Sequence, residues 1–169
     1  MAIFFSLFAL GFTIYSFYWM NWRSGKLSVG APKTFAAACS NGKVIVYLPL
    51  VFYNSGARPI IIQDLQLKFF DQQLEPLYFN ATVEKLGTDE GRAYATQFPL
   101  NANTTLQLIC EFQVKDYDFC FYQNEFSALL KARIDENDWK PIKTFPLYIG
   151  ENASIGLASG GVVVIHSDF

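Results

Sequence analysis

The chain opens with twenty residues, "MAIFFSLFALGFTIYSFYWM", that carry no charged side chain and only Ser6, Thr13 and Ser16 as polar positions. At about 1.5 Å of rise per residue, a helix of this length crosses the roughly 30 Å hydrocarbon layer of a bilayer. Tyr15, Tyr18, Trp19 and Trp22 gather at its far end, and Arg23 and Lys26 follow directly. Aromatic rings and then cations are what the boundary between lipid and water selects, so these six residues form the predicted membrane interface. A cleaved signal peptide would carry a positive start and a small-residue cleavage site directly after the apolar run, and neither is present. "FAAACS" resembles a lipoprotein cleavage box, but Arg23, Lys26 and Lys33 separate its Cys39 from the apolar run. Residues 1–22 therefore read as a single transmembrane anchor contacting membrane lipid.

From residue 43 onward the period of the pattern drops to two. In "TLQLICEFQV", Leu106, Leu108, Cys110, Phe112 and Val114 share one face, while Gln107, Glu111 and Gln113 share the other with Ile109. In "EFSALLKARI", Phe126, Ala128, Leu130, Ala132 and Ile134 oppose Ser127, Lys131 and Arg133. "DLQLKFF" alternates in the same way. Such alternation marks strands with one buried and one wet side. "LYFNATV", "YATQF", "IKTFPLYI" and "VVVIH" add weaker strands, separated by segments rich in turn formers. Eight or so short strands at this spacing predict an all-β, antiparallel sandwich or barrel over 43–169, taken here as a sandwich, with no amphipathic helix after the anchor. Residues 23–42, dominated by Gly, Pro, Ser and Ala, read as a juxtamembrane linker.

One predicted strand, "VIVYLPLVFY", is apolar on both faces. Val44, Val46, Leu48, Leu50 and Phe52 can face a core, which leaves Ile45, Tyr47, Val51 and Tyr53 needing cover from the linker, another subunit or the membrane surface. The following "NSGARP" supplies residues that tolerate positive φ and then a proline, the chemistry of a hairpin corner. A second reading has its turned amides, beside Arg58, holding an anion. "YDFCFYQNEF" places Tyr117, Phe119, Phe121 and Tyr122 in one loop, either as an aromatic contact surface or folded back as a satellite core. Tyr47, Val51, Tyr53, Arg58, Tyr117, Phe119, Phe121 and Tyr122 are thus the candidate partner-binding residues.

The stretch "LPLVFYNSGARPIIIQDLQLKFF" resembles the strand-turn-strand opening of immunoglobulin-like bacterial sandwich domains, including adhesion-type domains and stress-related sandwiches related to late-embryogenesis proteins. The resemblance covers about 25 residues and implies binding, spacing or scaffolding, with no catalytic residue to carry over. The Cys…Trp…Cys arrangement of antibody domains is absent.

Charge divides the chain. The net −2 hides +5 up to Gln63, where no Asp or Glu occurs, and −7 beyond it. Cations directly after the anchor favour the cytoplasmic side for the β domain. Three Asn-x-Ser/Thr triplets, at Asn80, Asn103 and Asn152, would suit an external side instead. Cys39, Cys110 and Cys120 are an odd number and no disulfide framework; Cys110 and Cys120 could pair if their strands approach, but they read rather as a small buried hydrophobe and a loop thiol. The sole histidine, His166, has no partner motif; no phosphate loop, dinucleotide fingerprint, nucleophile elbow or zinc spacing occurs. The acidic β domain argues against nucleic acid. These patterns predict no cofactor and no enzyme, but an accessory or interaction subunit working with other membrane-protein subunits. The alternative is a sandwich holding a lipid or small molecule.

Overall fold

The computed structural model describes every residue except 41, 71–73, 116–118, 136–137 and 167–169. The apolar start is a helix, α1 (Ala2–Asn21), exposed along its length and long and apolar enough to cross a membrane. The remainder is antiparallel β: β1 (Leu27–Val29), β2 (Thr34–Ser40), β3 (Lys43–Asn54), β4 (Ile60–Phe69), β5 (Leu77–Val83), β6 (Ala93–Tyr94), β7 (Phe98–Leu100), β8 (Thr105–Lys115), β9 (Asn124–Ile134), β10 (Lys140–Ile149) and β11 (Val162–His166), with a short helix α2 (Glu151–Ala158) before the last strand.

The predicted strand parities hold where alternation is clean. Val44, Val46, Leu48, Leu50 and Phe52 of β3 are all buried, as are Leu65, Leu67 and Phe69 of β4 and Phe126, Ala128, Leu130 and Ala132 of β9. Fully burying a side chain of this kind contributes about 1.5–3 kcal/mol, so these inward rows supply most of the drive to fold.

The architecture departs from two stacked sheets. The strands form one sheet in the order β10-β9-β4-β5-β8-β3-β2-β11, with β1 added to β3, β6 to β5 and β7 to β4. β4 and β5 share only two register pairs, Gln66 with Tyr78 and Leu67 with Leu77. There the sheet curls, into a half-barrel whose two wings face each other. Phe52 of β3 meets Phe98 of β7 edge to face with ring centroids 5.5 Å apart, and β1 lies against β10. An immunoglobulin-like pair of sheets is therefore not what the chain forms. The "NSGARP" corner is not a hairpin either: β8 and β5 lie between β3 and β4, so the corner carries the chain from one wing to the other.

The expected linker is largely sheet. β1 pairs with the end of β3, and β2 lies between β3 and β11. Alternation in "TFAAACS" is hidden because both faces of β2 are covered and small side chains are used throughout. Phe35 and Ala37 face the core, closed there by Leu157 of α2 and by Ile165. Ala36 faces outward beneath the 84–92 loop, where a side chain on Gly87, held at φ +74°, would come 3.4 Å from the Ala36 methyl and 3.3 Å from Val162 and Val164. Helix α2 is too short and too weakly amphipathic to stand out in the sequence.

That same loop region answers what covers the outer face of β3. Tyr47, expected on a contact surface, is only 5% exposed and packs with Ala36 and Val83, flanked by Ile45, Leu86 and Ile109. Burial, then the nearby Glu111 carboxylate, raises the Tyr47 pKa above its ordinary value. The folded chain therefore holds the phenolic proton to higher pH than the unfolded chain. Stability from Tyr47 is complete below about pH 10 and is lost as pH rises above it. Tyr47→Phe is expected to remove that portion of the alkaline loss, measured as a flatter denaturant midpoint above about pH 10.

Candidate functional site at the helix-to-sheet junction

The residues leaving α1 do not swing free. They seat against the corner after β3, and a single buried side chain organises the contact. Asn54 occupies the next inward position after Phe52, so its amide enters the core end rather than solvent. Its Nδ2 donates to the carbonyls of Arg58 at 2.8 Å, Leu100 at 3.2 Å and Asn101 at 3.2 Å. Its Oδ1 accepts from the Lys26 N–H at 3.1 Å and the Gly56 N–H at 2.9 Å. One amide thus ties together the helix exit, the β3–β4 corner and the β7–β8 loop, with both of its polar atoms satisfied.

Main-chain bonds complete the clamp. Ser55 N–H donates to the Lys26 carbonyl at 3.1 Å, and Ala57 N–H to the Arg23 carbonyl at 3.0 Å. The Arg23 guanidinium returns a bond to the Ser55 carbonyl, and its plane lies 4.5 Å over the Trp19 ring. The amides of Ser55, Gly56 and Ala57 are all committed within the chain, so the corner does not hold an anion with them. Arg58 itself is exposed.

The approach is close enough to demand glycine. A Cβ on Gly56 would sit 2.2 Å from the Ser24 carbonyl oxygen and 2.4 Å from the Gly25 Cα, both main-chain atoms that cannot swing away. Gly56→Ala is expected to prise the helix exit off the corner. The check is limited trypsin digestion of the detergent-solubilised chain: cleavage after Arg23 and Lys26 should quicken at least about tenfold, the effect of weakening the closed state by about 1.4 kcal/mol.

Of the six predicted interface residues, Tyr15, Tyr18, Trp19 and Trp22 lie exposed on α1 or at its end, with Tyr15 and Trp19 stacked at 6.2 Å and Trp22 edge-on to Phe17 at 5.7 Å. Arg23 and Lys26 serve the clamp as well. The partner-binding candidates separate into three groups. Val51 and Tyr53 are exposed on β3, and Val51 pairs with Gln107, which lines an open groove of about 590 Å³ with Thr82, Ile109 and Gly91. Phe121 is buried and Phe119 packs on it at 5.1 Å, so this part of the aromatic loop is core, joined edge to face with Phe69 and Phe126. Tyr122 remains exposed beside Phe126, and Tyr117 lies outside the described residues.

A second polar cluster sits on the outer face. Glu111, assigned to the wet side by its parity, is only 2% exposed. Arg92 reaches it from the 84–92 loop with two bonds, Nε to Oε2 at 3.1 Å and Nη2 to Oε1 at 2.9 Å, and Asn80 adds a third at 2.7 Å. Asn80 sits at the irregularity in β5 between Phe79 and Ala81, which turns its amide toward the carboxylate. Donating to the Glu111 carboxylate is the main reason the Arg92 pKa lies above its ordinary value.

His166 is exposed at the end of β11, opposite Thr34. Among the described residues, no group of three or more His, Cys, Asp and Glu is placed to hold a metal ion.

No family model and no curated protein sequence matches the chain. A crystal structure of a protein from Archaeoglobus fulgidus is similar over 86% of this chain and 99% of that one, at 7% identity and a TM-score of 0.37. A score of that size identifies neither a shared fold nor a shared activity.

Proposed function

We propose that the chain is a single-pass, membrane-anchored, non-enzymatic β protein that serves as an accessory or interaction subunit of a membrane assembly. The observation that carries this reading is the Asn54 clamp. An exposed apolar helix is joined to the β body by a close-packed, hydrogen-bonded junction rather than by a loose tether. Such a junction fixes the body in one orientation relative to the helix, which a subunit presenting a defined surface to a neighbour in the same membrane requires. The charge distribution favours the cytoplasmic side for the body.

The contact surface falls on Val51 and Tyr53 and the adjoining groove along Gln107 and Ile109. A ligand-holding interior fits less well, because Phe35, Phe52, Phe69, Phe112, Phe126 and Phe145 fill the space between the wings.

The test is mild detergent extraction of the full chain from its native membrane, followed by size analysis of the native form and of the double variant Val51→Asp with Tyr53→Asp. A larger species that the double variant loses supports the proposal. A monodisperse monomer with no co-purifying protein contradicts it.

A further inference from the structure

Arg23 is held in place but not satisfied. Its Nη2 donates to the Ser55 carbonyl and its guanidinium covers the Trp19 ring, yet its Nε is buried and has no hydrogen-bond partner among the described residues. Buried donors are normally paired, so this one points to an acceptor from outside the chain. Two further cations converge on the same place. The Lys26 N–H and carbonyl are both fixed by the clamp, and Arg58 gives its carbonyl to Asn54 at 2.8 Å, while both side chains are exposed. We propose that Arg23, Lys26 and Arg58 form a headgroup site for an anionic phospholipid, which seats the clamp end of the body on the bilayer surface. The site depends on α1 being the membrane anchor.

Geometry sets the depth. α1 is 20 residues long, about 30 Å of helix, which matches the hydrocarbon layer and leaves Trp22 and Arg23 at the level of the phosphates. No part of α1 is buried against the β strands, so the body lies beyond its end and not alongside it. The clamp leaves no spacer, since Ala57 bonds to Arg23 and Ser55 to Lys26 through the main chain, at 3.0 and 3.1 Å. The 54–58 corner therefore stands at headgroup depth as well. Ile61, 47% exposed and paired with the exposed Pro99, adds apolar area beside the cations.

Charge selects the lipid. Among the described residues, none of the three cations is paired with a carboxylate, and residues 1–63 contain no Asp or Glu. The amides of the corner are committed, which leaves side chains to take the anion. A phosphate offers paired oxygens that suit guanidinium groups, here at Arg23 Nε and at Arg58. Asp135 and Asp138 stand at this end too, but Asp135 Oδ1 accepts from the Ile61 N–H at 2.9 Å, and Arg133 and Lys140 adjoin them in sequence. Exposed Glu125 and Glu151 lie at the opposite end of β9 and β10, so the body turns its basic end to the lipid. The cytoplasmic leaflet is the anionic one, on the side that the cations after α1 favour.

Arg58 decides between this site and a simple basic flank. It is distant from α1 in sequence, and only the clamp brings it to the membrane. A cation close to an anionic surface favours binding by roughly fivefold, so the contribution of Arg58 stands out above those of Arg23 and Lys26. Lys43 provides the contrast. It is exposed at the start of β3, 12 residues at about 3.3 Å each before the corner, so it lies roughly 40 Å away and is screened from the headgroups.

The test is native mass spectrometry of the full chain in a non-ionic detergent, with phosphatidylglycerol and phosphatidylcholine added in equal amounts. The chain carrying one lipid is expected to hold phosphatidylglycerol over phosphatidylcholine by at least about tenfold. Arg58→Gln should lower that ratio about fivefold, and Lys43→Gln should leave it unchanged. Glutamine at this position keeps the main-chain carbonyl that Asn54 uses, so the clamp survives the change. An excess of inorganic phosphate at fixed ionic strength should not displace the lipid. Equal binding of the two lipids, an Arg58→Gln ratio matching that of the native chain, or displacement by inorganic phosphate overturns the headgroup site. Failure of α1 as an anchor shows differently, as a chain that stays soluble and monomeric with no detergent.

Discussion

Asn54→Ala is expected to destabilise the detergent-solubilised chain by about 3–5 kcal/mol, lowering its melting temperature by roughly 8–15 °C. The size follows from what the side chain leaves behind. Truncation strips two N–H donors, of Lys26 and Gly56, and three carbonyl acceptors, of Arg58, Leu100 and Asn101, of their shared partner, with the Leu100 and Gly56 bonds buried and the other three partly buried. A buried polar group left unpaired costs about 1–3 kcal/mol, and water entering the vacated space offsets part of the sum. Asn54→Asp makes a sharper test because its shape is unchanged. The carboxylate keeps an acceptor toward Lys26 and Gly56 but turns a second oxygen toward three carbonyl oxygens, so at neutral pH it should be at least as damaging as alanine. Acidification should restore part of the loss, since a protonated carboxyl can donate one of the three missing bonds. If denaturant midpoints of both variants fall within about 0.5 kcal/mol of the native chain, Asn54 does not organise the junction.

Arg92→Ala should cost about 3 kcal/mol, the lower part of the range for breaking a buried ion pair, because the Arg92 side chain is 29% exposed while Glu111 is 2% exposed. The damage comes from the carboxylate that remains. Without Arg92, Glu111 keeps only the Asn80 amide in a site closed by the 84–92 loop. Adding Glu111→Gln to Arg92→Ala should therefore recover about half the loss, since a neutral amide tolerates that site better than a lone charge. A double-mutant cycle measures this directly. Additive effects would mean that the pair is solvated in the native chain and contributes nothing by its contact.

Much of the fold is legible in the chain because burial on one side writes a period of two into the sequence. β5 and β11 fall on the expected segments "LYFNATV" and "VVVIH", and β8 and β9 contain the two clearest alternations. β2 is hidden for the opposite reason. It is covered on both faces and built from alanines, so no polar positions interrupt it. Strand adjacency is hidden too, because a turn reads the same in sequence whether it joins neighbours, as in a hairpin, or carries the chain across the curl, as after Asn54.

The junction could have been found. Asn54 extends the series Val44, Val46, Leu48, Leu50, Phe52 by one step, which places a polar side chain on the buried row, and it is followed at once by Ser55 and Gly56 just as Ser24 and Gly25 follow the anchor. Parity alone misplaces Glu111 and Tyr47, since the 84–92 loop that folds over them is distant in sequence from both. Composition leaves the aromatic loop open between a contact surface and a satellite core, and Phe121 takes the second course because Phe69 and Phe126 supply a site in the core for it.

The central claim is that an uncut helix holds this body to a bilayer through a stiff junction. The most direct measurement is the intact mass of the chain retained in membranes after an alkaline carbonate wash. The full 19.1 kDa polypeptide, starting at Met1 and staying with the lipid, is the predicted result. A chain that begins beyond Trp22, or one released into the wash, would contradict it.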